Sequence, residues 1–251
     1  MESQHPAIVK VTPRGIYLLP NLLTTAALFA GFYSIVAAMK GYLETAAIAI
    51  FISMIADGLD GRVARLTNTQ SAFGAEYDSL SDMVAFGVAP ALVMYSWSLF
   101  HLGKLGWLAA FLYTAATALR LARFNTQSKD ADKEYFQGLS CTAAAGVVAG
   151  AVWLGAAYGA SGLGVGVLIA ALAISLAGLQ ISRIRYHSFK TVDFKGKVPF
   201  ITVVLTVIVL TAVALEPAEM LFAVFFIYAL SGPIFTLLQI RKKRKLRNVK
   251  R

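Results

Sequence analysis

Long apolar runs, broken by short polar connections, set the pattern of this chain. Eight runs follow one another at about 16–39, 43–65, 80–100, 105–125, 139–159, 162–182, 198–215 and 218–240. Roughly 20 apolar residues wound as a helix cross the hydrocarbon core of a bilayer, which is about 30 Å thick. The pattern therefore predicts an all-α fold, a polytopic membrane bundle of about eight transmembrane helices, with 1–251 as a single domain. A soluble, wholly buried α-domain is the alternative, and it fails because so many long runs cannot be hidden in one small core.

Composition agrees. The 251 residues are 58% hydrophobic and only 14% charged, against about 25% charged in an ordinary soluble domain. The net charge of +10 does not point to nucleic acid, because the basic residues sit at the ends and in the connections. With eight spans and a cytoplasmic N-terminus, every Lys and Arg except Lys40 and Lys104 falls on the cytoplasmic side. An odd number of spans would put either the tail or Lys10 and Arg14 outside. Both termini are thus expected in the cytoplasm, with the basic tail 241–251, "RKKRKLRNVKR", lying on the anionic headgroups of membrane lipids. No cleavable signal is expected, since the first run follows Lys10 and Arg14 and is long enough to span. The single cysteine, Cys141, excludes an intramolecular disulfide. Glycines and alanines in the fifth and sixth runs read as close helix packing. Tyr17, Tyr33 and Trp107 read as interfacial anchors, and His5, His101 and His187 as surface residues.

One stretch does not fit the oil-and-loop pattern. Five of the 13 acidic residues lie between Asp57 and Asp82. On a helix Asp57, Asp60, Gly61, Ala64 and Arg65 share one face, and so do Gly74, Asp78 and Asp82. "LTNTQSAF" between them reads as a turn at the membrane surface, while Glu76 falls off the stripe and Arg62 points elsewhere. Two antiparallel helices would each present two carboxylates to the other, with Gly58, Gly61 and Gly74 leaving room for a bulky group. Ionisable groups at that depth are costly and mark function. Four converging carboxylates need neutralising. Protonation would suit a proton-coupled carrier, and pairing with arginine would suit a structural network. Divalent cations are the third answer, and oxygen-only ligands favour Mg²⁺, Mn²⁺ or Ca²⁺ over zinc. A carrier is disfavoured because all four acids sit at one membrane face. A structural network is short of arginines.

The spacing Asp57-x2-Asp60-Gly61-x2-Ala64-Arg65-x8-Gly74-x3-Asp78-x3-Asp82 resembles the signature of the CDP-alcohol phosphotransferase family, with every fixed position filled. The resemblance implies a membrane transferase, its catalytic motif at 57–82, that moves a phosphatidyl-type group from a CDP-linked lipid to an alcohol and releases CMP. It implies two Mg²⁺ or Mn²⁺ ions on Asp57, Asp60, Asp78 and Asp82, with Asp57 and Asp78 bridging and Asp82 also the general base. Nucleotide contacts carry over to Gly61, Arg65 and Ser71. "PNLLT" resembles the family's opening and adds Asn21 and Thr24. The residues agree with that chemistry on their own terms. Metal ions clamp a diphosphate, a carboxylate helps an alcohol attack, and Arg65 can fork onto a phosphate. Small residues at Gly61, Ala64 and Gly74 let a nucleotide ring approach the helix backbone.

The motif leaves the acceptor alcohol open. "RLARFN", followed by "FQGLSCTAAAG", resembles the phosphatidylserine synthase branch, as do the length and the span count. That branch has prolines after "GL", where this chain has Ser140, Cys141 and Thr142. The resemblance implies CDP-diacylglycerol and L-serine as substrates, and a homodimer in the bacterial cytoplasmic membrane with its site at the cytoplasmic face. A serine carboxylate would need a cation; Arg120 or Arg123 is the candidate, with Asn125 a weaker polar contact. Their alternative role is to mark the cytoplasmic end of the helix. Glycerol 3-phosphate, an inositol phosphate or choline are the competing acceptors, and "SRIRYHSFKTVDFKGK" would supply basic residues for a phosphorylated one.

Overall fold

The computed structural model describes residues 18–127, 135–187 and 200–249. In chain order the helices are α1 (Leu18–Met39), α2 (Leu43–Leu66), α3 (Ala72–Asp82), α4 (Ala89–Trp97), α5 (Lys104–Gln127), α6 (Cys141–Ala157), α7 (Leu163–Ile181), α8 (Phe200–Leu215) and α9 (Pro217–Val249). A π-helical segment, Met83–Val88, joins α3 to α4 without a break, and a 3-10 turn, Leu99–Leu102, follows. Lys10, Arg14, His5 and Tyr17 lie outside the described residues, as do most of the connection between α7 and α8 and the last two residues of the tail.

Each of the eight apolar runs is helical, but not all to the same standard. Among the described residues five helical stretches are long and apolar enough to cross a membrane: Leu18–Met39, Ala72–Trp97, Lys104–Thr126, Leu163–Ile181 and Pro217–Leu238. Of the remaining three, α2 is interrupted by Glu44, Asp57, Asp60, Arg62 and Arg65, while α6 and α8 are only 17 and 16 residues long. The third span starts earlier than its apolar run, at Ala72, because Ser71 caps it: its side chain accepts the Gly74 N–H at 3.0 Å. The basic tail is no separate segment, since α9 continues as a helix to Val249.

The all-α expectation needs one addition. Two three-residue strands, β1 (Tyr135–Gln137) and β2 (Arg185–His187), pair antiparallel with Phe136 opposite Tyr186. The two loops that carry them emerge at the same end of the bundle, and pairing satisfies backbone groups that neither could satisfy alone. Tyr186 turns its ring inward, is almost fully buried, and donates its hydroxyl to Ala229 O at 2.9 Å. Burial pushes that phenol up to about 12, so it remains a neutral donor.

Helices α1 and α2 form an antiparallel hairpin around Gly41, whose positive φ of 82° makes the turn. The pair is tied by hydroxyls: Ser34 Oγ donates to Ala46 O at 2.8 Å and Ser53 Oγ to Ala27 O at 2.7 Å. Helix α6 is the centre of the bundle, with Ala144, Ala145, Val147, Val148, Ala149 and Val152 all fully buried. Its glycines do what the sequence predicts. A Cβ at Gly146 would lie 2.6 Å from the Phe225 ring, and one at Gly150 would lie 2.7 Å from Phe222 Cα, so α9 can approach only because these side chains are absent. Tyr33 and Trp107 are about half exposed.

This topology gathers the end of α2, the start of α3, the end of α5, the start of α6 and the β1–β2 pair at one end of the bundle. The site is there.

Candidate active site

Helix α2 ends at Thr67, whose N–H bonds Val63 O at 2.9 Å, and Asn68 adopts a left-handed φ of 52°. Asparagine tolerates that conformation. The reversal brings the last turns of α2 back against α3. Carboxylate oxygens of Asp57, Asp60 and Asp78 then all lie within 4.8 Å of one another. Asp60 is buried, Asp57 and Asp78 half-buried. Asp82, one turn beyond Asp78, is in side-chain hydrogen-bonding contact with Asp57. The face-sharing read from the sequence is therefore present in space, with three acids forming one nest and the fourth adjoining it through Asp57.

One neighbour orients Asp60 directly. Thr24 Oγ1 donates to Asp60 Oδ2 at 2.6 Å from the first turns of α1, and the backbone carbonyl of Thr24 is itself held by Ser81 Oγ at 3.1 Å. Thr24 thus orients one carboxylate from inside the bundle. Arg65 is exposed and folds back over Gly61: its Nη1 would be 3.6 Å from a Cβ there. Arg62 and Glu76 are exposed, as expected. An all-oxygen donor set drawn from three close carboxylates, one of them buried and pre-oriented, fits a hard divalent cation.

Asn21, Ser71 and Gly74 form a second small group beside the acids. A Cβ at Gly74 would lie 3.1 Å from Ser71 Oγ and 3.5 Å from Asn21 Oδ1. The absence of that side chain leaves α3's first turn tight against α1. Gly58 faces open space, and Ala64 is half-buried with its carbonyl taken by the Thr69 N–H at 3.0 Å. Tyr77, unremarked in the sequence, ties α3 to α1 through its hydroxyl contact with Thr25 at 2.9 Å.

The candidate acceptor residues separate. Arg123 Nη1 donates to Ile181 O at 3.1 Å, the carbonyl at the end of α7, which favours a cation there. Asn125 Nδ2 donates to Ser79 Oγ at 3.0 Å, next to Asp78 in sequence. Arg120 alone points toward the acids: its Nη1 donates to Cys141 Sγ at 3.4 Å, and that sulfur lies 3.9 Å from Asp82 Oδ2. Cys141 is a residue that motif reading passed over. Its signal was the departure of Ser140, Cys141 and Thr142 from the prolines of the branch.

Comparison with known proteins now decides the family. The description "CDP-alcohol phosphatidyltransferase" matches residues 17–177, more than half the chain, and covers α1 through most of α7. The chain belongs to the CDP-alcohol phosphatidyltransferase family. A Helicobacter pylori (strain J99) protein named CDP-diacylglycerol–serine O-phosphatidyltransferase is 38% identical over 225 residues, covering 90% of this chain and 94% of its own. A Mycobacterium leprae protein of the same name is 34% identical over 218 residues, 85% of this chain and 72% of its own. One from Methanocaldococcus jannaschii, also so named, is 39% identical over 140 residues, 56% of this chain and 62% of its own.

Proposed function

We propose that this protein is a CDP-diacylglycerol–serine O-phosphatidyltransferase of the membrane. The observation that carries the reading is the nest of Asp57, Asp60 and Asp78, oxygens within 4.8 Å, inside the stretch that matches its family. The names borne by relatives over nine-tenths of the chain support serine as the acceptor. Bound by Asp57, Asp60 and Asp78, with Asp82 completing the set, two divalent cations of the Mg²⁺ or Mn²⁺ type supply Lewis-acid neutralisation of the diphosphate.

The chain's own residues do the rest. Arg65 on the exposed edge of α2 grips a phosphate oxygen of the nucleotide, and Gly61, Ala64 and Gly74 let the nucleotide lie close to the backbone, with Ser71 and Asn21 at its edge. Thr24 keeps Asp60 facing inward. Arg120 receives the serine carboxylate, with Arg123 and Asn125 framing that end of α5. Asp82 takes the proton of the serine hydroxyl. The hydroxyl oxygen forms a bond to the phosphorus that bears diacylglycerol. The bond from that phosphorus to the bridging oxygen breaks, and its electron pair leaves with CMP.

We read all eight helical runs as spans, with both termini and the active site on the cytoplasmic side. Arg62, Arg65, Arg120, Arg123, Arg183 and Arg241 accompany the acids at one end of the bundle, whereas Lys40 and Lys104 lie at the other. A bacterial cytoplasmic membrane and a homodimer are assigned from the family resemblance.

Purified protein in detergent, given labelled L-serine and CDP-diacylglycerol, should label lipid and release CMP in equal amounts. EDTA should stop both, and Mg²⁺ or Mn²⁺ should restore them. Labelling with glycerol 3-phosphate, an inositol phosphate or choline in place of serine would overturn the acceptor. Transfer that persists in EDTA would overturn the metal.

A further inference from the structure

Resting on that reading of the site, we propose that Cys141 is a positioning residue for the transfer. Its sulfur is the spacer that holds Arg120 beside Asp82 without letting the two pair.

The thiol is placed from several directions. It opens α6, where Ser140 caps the helix by accepting the Ala143 N–H at 3.1 Å. The strap leading into it is pinned to the end of α7, with Gly138 N–H bonded to Ile184 O at 2.8 Å and Leu139 N–H to Leu179 O at 3.0 Å. Gly138 has a positive φ of 79°, and a Cβ there would run into Gln180 O, so only glycine lets the strap lie this close. Cys141 is 3% exposed. Its sulfur therefore has little freedom, and it sits between a guanidinium nitrogen at 3.4 Å and a carboxylate oxygen at 3.9 Å.

That placement has a chemical consequence. Arg120 on α5 and Asp82 on α3 are opposite charges that both contact this one sulfur, and a direct, charge-assisted fork between them would be strong. A guanidinium spent on Asp82 would be lost to the acceptor's carboxylate. Sulfur is a weak donor and a weak acceptor. It satisfies Nη1 loosely, touches Asp82 loosely, and occupies the space in which the fork would form. Arg120 Nε is buried and lacks an acceptor, which leaves the guanidinium with an unmet demand for an anion. An amino-acid carboxylate meets that demand with the acceptor's hydroxyl directed at Asp82. Cys141 thereby fixes the separation between the group that binds the acceptor and the group that deprotonates it.

The test is steady-state kinetics on the full-length protein in detergent, following CMP release for wild type, Cys141→Ala, Cys141→Ser, Arg120→Lys and the Cys141→Ala/Arg120→Lys double variant. Cys141→Ala should raise the serine KM and lower kcat, with kcat/KM for serine down about tenfold. The CDP-diacylglycerol KM should stay within about twofold. Cys141→Ser, which can still accept from Arg120 and donate to Asp82, should recover most of the loss. In the Arg120→Lys background the alanine change should cost far less than in wild type, because both act through one contact. An unchanged serine KM and kcat in Cys141→Ala would overturn the proposal. So would equal rises in both substrates' KM, a serine variant no better than alanine, or fully additive effects, each of which marks a residue that merely fills space. If the wild type prefers another alcohol, the serine reading falls and the same comparisons are made on that alcohol's KM. Absence of any acceptor-dependent CMP release overturns both.

Discussion

Acidic side chains lie at both ends of this bundle, and the two ends treat them differently. At the end bearing Gly41 and Tyr158, Glu44 and Glu219 are each answered by one neutral donor. Glu44 accepts the Trp153 Nε1–H at 3.0 Å, and Glu219 accepts the Tyr158 hydroxyl at 2.9 Å. The hydrogen bond to Glu219, and then its negative charge, raise the Tyr158 phenol above its ordinary value, so it stays a donor. At the other end three carboxylates crowd within 4.8 Å, and a fourth touches one of them. Asp60 has a hydroxyl turned to it at 2.6 Å, and Arg62 and Arg65 in the motif are exposed. A lone acid with a matched donor stabilises a helix pair. A crowd of acids is costly until enough positive charge offsets it.

That contrast ranks the expected effects of substitution. Asp82→Asn should cost the most, about 10²- to 10⁴-fold in kcat, the usual worth of a general base, with CDP-lipid binding retained; a loss below tenfold would move the base elsewhere. Gly150→Leu comes next and should act on stability alone. Its side chain must enter the space held by the Phe222 backbone, at a cost of about 1–3 kcal/mol. A lower Tm in detergent with normal divalent-ion binding checks it. Ser71→Ala should remove about 1 kcal/mol of cap energy from α3, read as faster amide exchange at the start of that helix. Glu44→Gln should do least, because the amide oxygen still accepts from Trp153. Its kcat/KM should stay within about twofold of wild type, and a loss comparable to that of Asp82→Asn would erase the distinction between the two ends.

Much of this was legible in the chain before folding. Apolar run length located the helices, and helical spacing put Asp57 and Asp60 on one face and Asp78 and Asp82 on another. What spacing could not carry were consequences of contact. The π-helical segment after Asp82 is one. Its wider turn is supported from α5, where Tyr113 donates to Phe86 O at 3.1 Å and Thr114 to Gly87 O at 3.5 Å; no local propensity announces that. The β1–β2 pair joins loops separated by two helices, and three residues of strand are too few to show a period. The different fates of Arg120 and Arg123 are another case. One turn apart and of one type, they are separated only by what each meets, a thiol beside Asp82 or the carbonyl at the end of α7. Thr24 read as a nucleotide contact, and the fold adds a grip on Asp60 that depends on α1 crossing α2.

The central claim is that the crowded acids hold divalent cations, and Mn²⁺ titration of the purified protein followed by electron paramagnetic resonance tests it most directly. Saturable binding of two ions per chain is expected in the presence of CDP-diacylglycerol, with loss of saturable binding in Asp57→Asn and Asp78→Asn. No saturable binding by the wild-type protein, or unchanged binding in both variants, would contradict it.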